Sequence, residues 1–504
     1  MLRKIRIALA AVVFALITLI FLDFSGLMSS CFGFLAKLQF LPAVLSLNLV
    51  VVLALLVLTL VFGRVYCSVL CPMGIFQDIV SWISGRRKKH KARFRYSPEK
   101  KWLRYGVLVV FIAALVLGVS SLVALLAPYS SYGRMVQNLL SPIWGWGNNL
   151  LASVAEKNGG YGFAHREVFI KSLPTFIVAA VTFVVVVILA WRSGRTYCNT
   201  ICPVGTVLSF FSRFSLFKPV IDADKCKNCH ACERHCKSSC IDIKNHKVDY
   251  SRCVDCFDCI ESCRFGALHY ERYRKAREGQ DPSPTPDATI TKAENADPGR
   301  RAFLTSSAMA LTAVALGAQD HGDGGLAAVA PKQAPQRTLP LVPFGAGDSK
   351  NFYSHCTACQ LCVSQCPGNV LRPSTDLKTL MQPFMSYEKG WCRPECVKCS
   401  EVCPAGAILK ITPEEKTMIH IGLATVDYDL CLVNKAGVSC GNCARHCPSE
   451  AILMVHKDPT DESSPLIPSV LENRCIGCGA CEFLCPSRPV SAIHVNGLPA
   501  HIKD

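Results

Sequence analysis

The sequence predicts a membrane all-α four-helix bundle joined to α+β ferredoxin-like domains, one with two clusters and one with four. Three observations predict it. Four apolar stretches are long enough to cross about 30 Å of hydrocarbon. Twenty-four cysteines fall into six groups at iron–sulfur spacing. Basic residues gather on alternate connections between the apolar stretches. Across 504 residues, half apolar and 18% charged, wholesale disorder is excluded. Thirty cysteines require ligands or disulfides to explain them.

The spans read as Ile5–Leu22, Leu41–Phe62, Tyr105–Ala127 and Phe169–Trp191, within a membrane domain over 1–217. MLRKIR is a basic leader, but no small-residue cleavage site follows it, so the first span is expected to remain as a helix. The net charge of +17 is explained by its location. Ten of the 54 Lys and Arg lie in the 86–104 loop, which marks that loop as cytoplasmic. No nucleic-acid fold signature accompanies it, so no nucleic-acid partner is expected. With Arg3, Lys4, Arg6 and the segment after Trp191 on the same side, the loops 23–40 and 128–168 fall outside.

A cytoplasmic two-cluster ferredoxin domain follows at 218–272, then a Pro/Asp/Thr-rich linker at 273–299 that cannot bury a core. Arg300-Arg301-Ala302-Phe303-Leu304 and the mild apolar run after it match a twin-arginine signal or anchor helix, placed at 300–319. Ala328-Val329-Ala330 has the form of a cleavage site, but Pro331 disfavours it, so an uncleaved anchor is expected. A second linker is read at 320–344. The remaining 345–504 is a four-cluster polyferredoxin domain on the periplasmic side of a bacterial inner membrane. Its sparse periodicity predicts short hairpins and helices held together chiefly by metal.

Four cysteine groups read C-x2-C-x2-C-x3-C: Cys226/Cys229/Cys232/Cys236, Cys253/Cys256/Cys259/Cys263, Cys356/Cys359/Cys362/Cys366 and Cys475/Cys478/Cys481/Cys485. Cys392/Cys396/Cys399/Cys403 and Cys431/Cys440/Cys443/Cys447 are variants with a longer first spacing. This is the bacterial ferredoxin spacing for [4Fe–4S] clusters, in which three close thiolates wrap one cube and the fourth reaches its neighbour. Cys226, Cys229, Cys232 and Cys263 are therefore assigned to one cluster, and Cys253, Cys256, Cys259 and Cys236 to the other. The four later sets imply four more clusters, whose pairing, consecutive or nested, stays open. Six clusters result. Tetrahedral zinc and a disulfide framework are the weaker readings. Cys226-Lys227-Asn228-Cys229-His230 also matches a haem attachment sequence, but it lies inside a complete ferredoxin set.

Six cysteines remain: Cys31, Cys240 and the pairs Cys67/Cys71 and Cys198/Cys202. GRVYCSVLCPMG and GRTYCNTICPVG share the pattern G-R-x-Y-C-x3-C-P-x-G, which reads as an internal duplication of two-helix units. Spacing of four places both thiols of a pair on one helical face. Two such faces meeting in the bundle make a four-thiolate metal site or a redox dithiol; buried packing is the alternative.

Through the two C-x3-C-P motifs, the stretch Pro128–Arg134 (PYSSYGR) and the two cluster sets that follow, residues 1–272 resemble the NapH-type four-helix ferredoxin membrane proteins, related to NosR. Residues 300–504 resemble the twin-arginine polyferredoxins of the NapG and MauM type. The resemblance implies a 4Fe–4S quinol dehydrogenase module, passing electrons from the quinone pool to a periplasmic cytochrome c or reductase. The chain departs from that pattern by joining both parts, and by placing Lys237 and Arg264 after Cys236 and Cys263 in place of proline. Nitrate is therefore not assigned as terminal substrate.

The C-x3-C-P region and Pro128–Arg134 are expected to line the quinone site, with Arg134 polarising a quinone oxygen or contacting headgroups. No catalytic residue is named. Two other readings compete: a redox protein for maturation or regulation of a periplasmic metalloenzyme, and a conduit from a cytoplasmic ferredoxin donor. No G-x-G-x-x-G after a strand and no G-x4-G-K-[ST] occurs, so substrate chemistry falls to a partner.

Overall fold

A computed structural model describes residues 1–87, 94–160, 162–272 and 330–503. The expected linker 273–299 and the twin-arginine segment 300–319 lie outside the described residues, as does 320–329.

Four apolar helices answer to the four expected spans: α1 (Leu2–Leu22), α2 (Leu49–Phe62), α3 (Lys101–Val116) and α4 (Leu173–Ser193). Among the described residues α1 and α4 are the two helices long and apolar enough to cross a membrane unaided. The other two expected spans are broken, which corrects their reading as continuous helices. Leu41–Phe62 divides into a short helix, Phe40–Leu45, and α2, because Leu47 takes φ +53° and the Asn48 side chain caps α2 at the Val51 amide. Tyr105–Ala127 breaks at Gly118, with φ +71°, before the helix Ser120–Leu126. The Pro128–Arg134 stretch, expected as a loop, is a buried helix with proline in its first turn. Around the waist, α2 exposes Leu53 and Val57, α3 exposes Val109 and Ile112, and α4 exposes Val181, Val184 and Ile188. Exposed apolar side chains in such number are of the kind that mark a contact surface.

The two cysteine-rich domains occupy opposite ends of α1 and α4. At the amino end of α1, Arg3 pairs with Asp258 and Glu261; at its other end, the Gln365 amide donates to the Ile20 and Asp23 carbonyls at 2.6 and 2.7 Å. α4 runs the other way. Lys171, just before it, donates to the Val363 carbonyl, and the Arg195 amide, just after it, donates to the Lys237 carbonyl at 2.9 Å. Twenty-one residues at about 1.5 Å each put roughly 30 Å between the domains.

The two-cluster domain is closed by β1 (Phe217–Ile221) pairing antiparallel with β2 (Leu268–Arg272). In the carboxy-terminal domain β3 (Ile419–Val426) pairs antiparallel with β4 (Ile493–Lys503), and two smaller hairpins complete it. This domain begins earlier than the expected residue 345. Leu341, Val342 and Phe344 are at most 1% exposed in its core, and Arg337 pairs with Glu482, so the described part of the second linker belongs to the domain.

Candidate iron–sulfur centres

The cysteine loops are shaped by backbone conformation before any side chain is considered. In all four C-x2-C-x2-C sets the middle cysteine is flanked by left-handed residues: Asn228 and His230, Asp255 and Phe257, Ala358 and Gln360, Gly477 and Gly479. Six of these eight are not glycine, at a strain of about 1–3 kcal/mol each. Such strain persists where something holds the loop. Each loop then enters a five-residue helix, such as Leu361–Gln365 or Ala480–Leu484. The fourth cysteine, in extended conformation after that helix, departs toward the neighbouring set.

The destinations of those fourth cysteines define the groups. Cys226, Cys229, Cys232 and Cys263 line one hollow of about 340 Å³. Cys253, Cys256, Cys259 and Cys236 line another of about 390 Å³, as the spacing predicts. Cys240, left unassigned by sequence, joins this second hollow, its Sγ 3.4 Å from that of Cys236. His230, the decoy haem ligand, pairs with Glu233 at 2.6 Å.

In the carboxy-terminal domain the pairing left open is consecutive. Cys366 lines a hollow of about 340 Å³ with Cys392, Cys396 and Cys399. Cys403 lies in the field of Cys356, Cys359 and Cys362. Cys485 lines a hollow of about 420 Å³ with Cys431, Cys440 and Cys443, while Cys447 faces Cys475, Cys478 and Cys481. The groups also form a row. Cys359 faces Arg134 of the bundle, and the Cys392 amide donates to the Cys478 carbonyl at 3.0 Å, which joins the two pairs.

The chemistry of these groups fits [4Fe–4S] clusters. Burial first, and then the neighbouring thiols, push Cys362 and Cys481 well above the ordinary thiol value. Burial and crowding keep these groups as neutral thiols without a metal; a bound metal centre would favour their deprotonated form. Among the described residues no three His, Cys, Asp or Glu side chains converge on a single-ion site; the cysteines stand in fours around hollows. Lys416, 1% exposed, donates to Cys392 Sγ at 3.2 Å and to the Arg393 and Cys396 carbonyls at 2.6 Å. Spacing gave no sign of this cation, which lies 24 residues along the chain from Cys392.

The C-x3-C-P pairs lie in the bundle at the end that carries the two-cluster domain. Within each pair the thiols are not on one helix, contrary to the spacing argument. Cys67 and Cys198 sit in the short helices Val65–Val69 and Thr196–Thr200, whereas Cys71 and Cys202 stand at the start of the next helix, ahead of a proline in its first turn. Cys202 Sγ accepts from the Gly205 amide. The four thiols nevertheless meet, each feeling the charge of others in the set. Beside them Asp78 pairs with Arg195 and Arg6 at 2.7 and 2.8 Å, and Lys237 lies 3.7 Å away. Arg134 is 1% exposed, its guanidinium donating to the Ser131 hydroxyl and the Ala358 carbonyl. Cys31 is exposed and stands apart from the groups described.

Comparison with known proteins finds 4Fe–4S families over both C-x3-C-P pairs and over the last two cysteine groups from residue 436 onward. A 4Fe–4S binding domain family matches residues 46–90 and 175–221, and a 4Fe–4S dicluster domain family matches 436–488. The chain is similar to an uncharacterized protein of Methanocaldococcus jannaschii, 26% identical over 50% of this chain and 81% of that one. It is also similar to the methylamine utilization ferredoxin-type protein MauM of Paracoccus denitrificans, 32% identical over 36% of this chain and 81% of MauM. The ferredoxin-type protein NapG of Haemophilus influenzae is 30% identical over 36% of this chain and 66% of NapG. No solved structure matches.

Proposed function

This chain belongs to the ferredoxin-type 4Fe–4S electron-transfer proteins related to MauM and NapG, and from that premise we propose that it is a membrane-bound quinol dehydrogenase module, relaying electrons to a periplasmic cytochrome c or reductase. The observation that carries the reading is the division of six four-cysteine groups between the two ends of α1 and α4. In it the cysteines of each group bind one [4Fe–4S] cluster, six in all, which supply one-electron acceptors and donors. The apolar waist faces lipid, where quinone dissolves. Arg3, Lys4, Arg6 and the basic 86–104 loop support a cytoplasmic position for the two-cluster domain.

A hollow of about 760 Å³ beside the Pro128–Met135 helix, lined by Gln137, Asn138, Lys171 and Cys366 among others, is the proposed place for the quinol headgroup. A quinol oxidised there would give up two protons and two electrons. Clusters held by Cys356, Cys359, Cys362 and Cys403 and by Cys366, Cys392, Cys396 and Cys399, of which Cys366 lines the hollow, would supply one-electron acceptors. The row of groups then leads to Cys431–Cys443, where the partner docks. A second reading, a conduit from a cytoplasmic ferredoxin, is favoured by the exposed Cys229, which offers a donor a way in at the opposite end.

The test is anaerobic protein in lipid nanodiscs, treated with a menaquinol analogue and followed by electron paramagnetic resonance with iron quantified. About twenty-four irons or more per chain, with reduction blocked by a quinone-site inhibitor, supports the first reading. Full iron reduced by ferredoxin but not by quinol supports the second. Iron far below that count overturns both.

A further inference from the structure

We propose that Cys67, Cys71, Cys198 and Cys202 together hold one further iron–sulfur centre where the two repeats meet, and that electrons cross the bundle through it between the two ferredoxin domains. The inference rests on the electron-transfer reading but not on quinol as donor.

The first ground is geometry. The four thiols, two from each repeat, are 3–4% exposed and mutual neighbours. N–H donors point at their sulfurs, Gln77 Nε2 at 3.1 Å from Cys198 Sγ and the Gly205 amide at 3.3 Å from Cys202 Sγ. Hydrogen bonds of this kind tune an iron–sulfur centre. The repeats also hold each other. Arg64 of the first donates to the Cys198 carbonyl of the second, and Arg195 of the second donates to the Cys67 carbonyl of the first. Gly74 and Gly205, three residues after the second cysteine of each pair, sit so close to those carbonyls that a Cβ would lie 2.1 and 2.4 Å away.

The second ground is charge. Arg64 and Arg195 are both fully buried. Arg195 has Asp78, but the groups on the Arg64 guanidinium are the Asn199 amide oxygen, the Ser251 and Cys198 carbonyls and, at 3.8 Å, Cys67 Sγ; its Nε has no partner. A buried cation is costly unless an anion faces it. The Asp255 carboxylate, which accepts from the Arg64 amide at 2.9 Å, lies in the field of this cation but does not bond its guanidinium. Four thiolates on an iron–sulfur core would add negative charge on the side where the guanidinium meets neutral oxygen and sulfur.

The third ground is position. Arg195 feels both Cys198 and Cys256, which lines the nearer hollow of the two-cluster domain. On the other side Tyr197 lies near Cys71, Cys198 and Cys202 and faces Arg134, and Arg134 faces Cys359 of the carboxy-terminal domain. The quartet therefore stands between the two sets of clusters. The matches at 46–90 and 175–221 each enclose one C-x3-C-P pair and none of the C-x2-C-x2-C groups. The step is balanced: one electron enters from the Cys253–Cys259 group as one leaves to the Cys356–Cys362 group, with no bond or proton exchanged.

The test counts iron and acid-labile sulfide in the anaerobically purified full chain and in Cys198→Ala, and maps alkylated cysteines by mass spectrometry. A cubane at the quartet predicts about twenty-eight irons in the wild type, protection of all four thiols, and loss of about one seventh of the iron in the variant. Free alkylation of the quartet in the wild type, a stoichiometric zinc, or an unchanged iron count in Cys198→Ala overturns the proposal. Should Cys198→Ala lose all its iron through misfolding, Gln77→Leu decides; it installs the residue type that the second repeat carries at Leu208. Retained iron with a shifted paramagnetic signal supports the centre, and a spectrum identical to wild type overturns it. None of these readouts needs quinol, so they stand or fall apart from the quinol reading.

Discussion

Replacing Cys366 with alanine separates crossed ligation from four self-contained sets. Along the chain Cys366 follows Cys356, Cys359 and Cys362, but it stands after the helix Leu361–Gln365, in extended conformation (φ −74°, ψ 108°), and lines the hollow of Cys392, Cys396 and Cys399. Cys366→Ala is therefore expected to damage the cluster of the next set and leave its own intact. The loss is at most one cubane, about four irons in roughly twenty-four or more. The assay is residue-resolved alkylation of the native protein, since cysteines freed from metal become nucleophilic thiols. New label should appear on Cys392, Cys396 and Cys399 while Cys356, Cys359 and Cys362 stay protected; Cys403→Ala should give the mirror image. Label on Cys356, Cys359 and Cys362 in Cys366→Ala would refute the crossed arrangement and the row built on it.

Three further expectations follow from named contacts. Lys416→Met removes a buried cation 3.2 Å from Cys392 Sγ and should lower that cluster's potential, by roughly 60–120 mV for a ten- to hundredfold change at 59 mV per decade, read by redox titration. Burial alone would push the Asp78 carboxyl up, but Arg195, Lys237 and Arg6 hold it well below the usual carboxylate range. Its stabilising contribution is then complete above about pH 4, the unfolded carboxylate value, and is lost only as pH falls further toward the depressed folded value. Asp78→Asn should cost about 3–5 kcal/mol at neutral pH, seen as faster proteolytic release of the two-cluster domain. Gly479→Ala places a Cβ 2.3 Å from the Tyr387 ring at φ +76°, and should abolish the Cys475–Cys481 cluster, measured as lost iron and new alkylation there.

Cysteine spacing made the ferredoxin sets legible, because three thiolates on one cube impose a local rule. It also placed Cys236 and Cys263 in each other's hollows. The same rule says nothing about which distant sets become neighbours, so consecutive pairing in the carboxy-terminal domain needed tertiary structure. Cys240 was missed for the same reason, and so was Lys416, whose partner lies beyond any local window. Hydropathy found the four apolar segments but not the breaks at Leu47 and Gly118, since an average over a window does not register one residue with positive φ. Pro128–Arg134 was legible as a motif and misjudged as a loop, because proline and glycine also serve inside helix ends. The C-x3-C-P repeats were legible as a duplication. Their placement was not: the second cysteine opens a new helix before proline, and only the folded bundle brings the four thiols together.

The most direct measurement is electron passage across a sealed membrane. Full-length protein reconstituted in liposomes with cytochrome c trapped inside would be supplied outside with reduced ferredoxin, which does not cross lipid. Either orientation leaves one ferredoxin domain on each side. The crossing proposed through the four thiols predicts reduction of the trapped cytochrome in proportion to protein, and its loss in Cys198→Ala. Reduction of the outward-facing clusters with the trapped cytochrome left oxidised, in protein of full iron content, would contradict it.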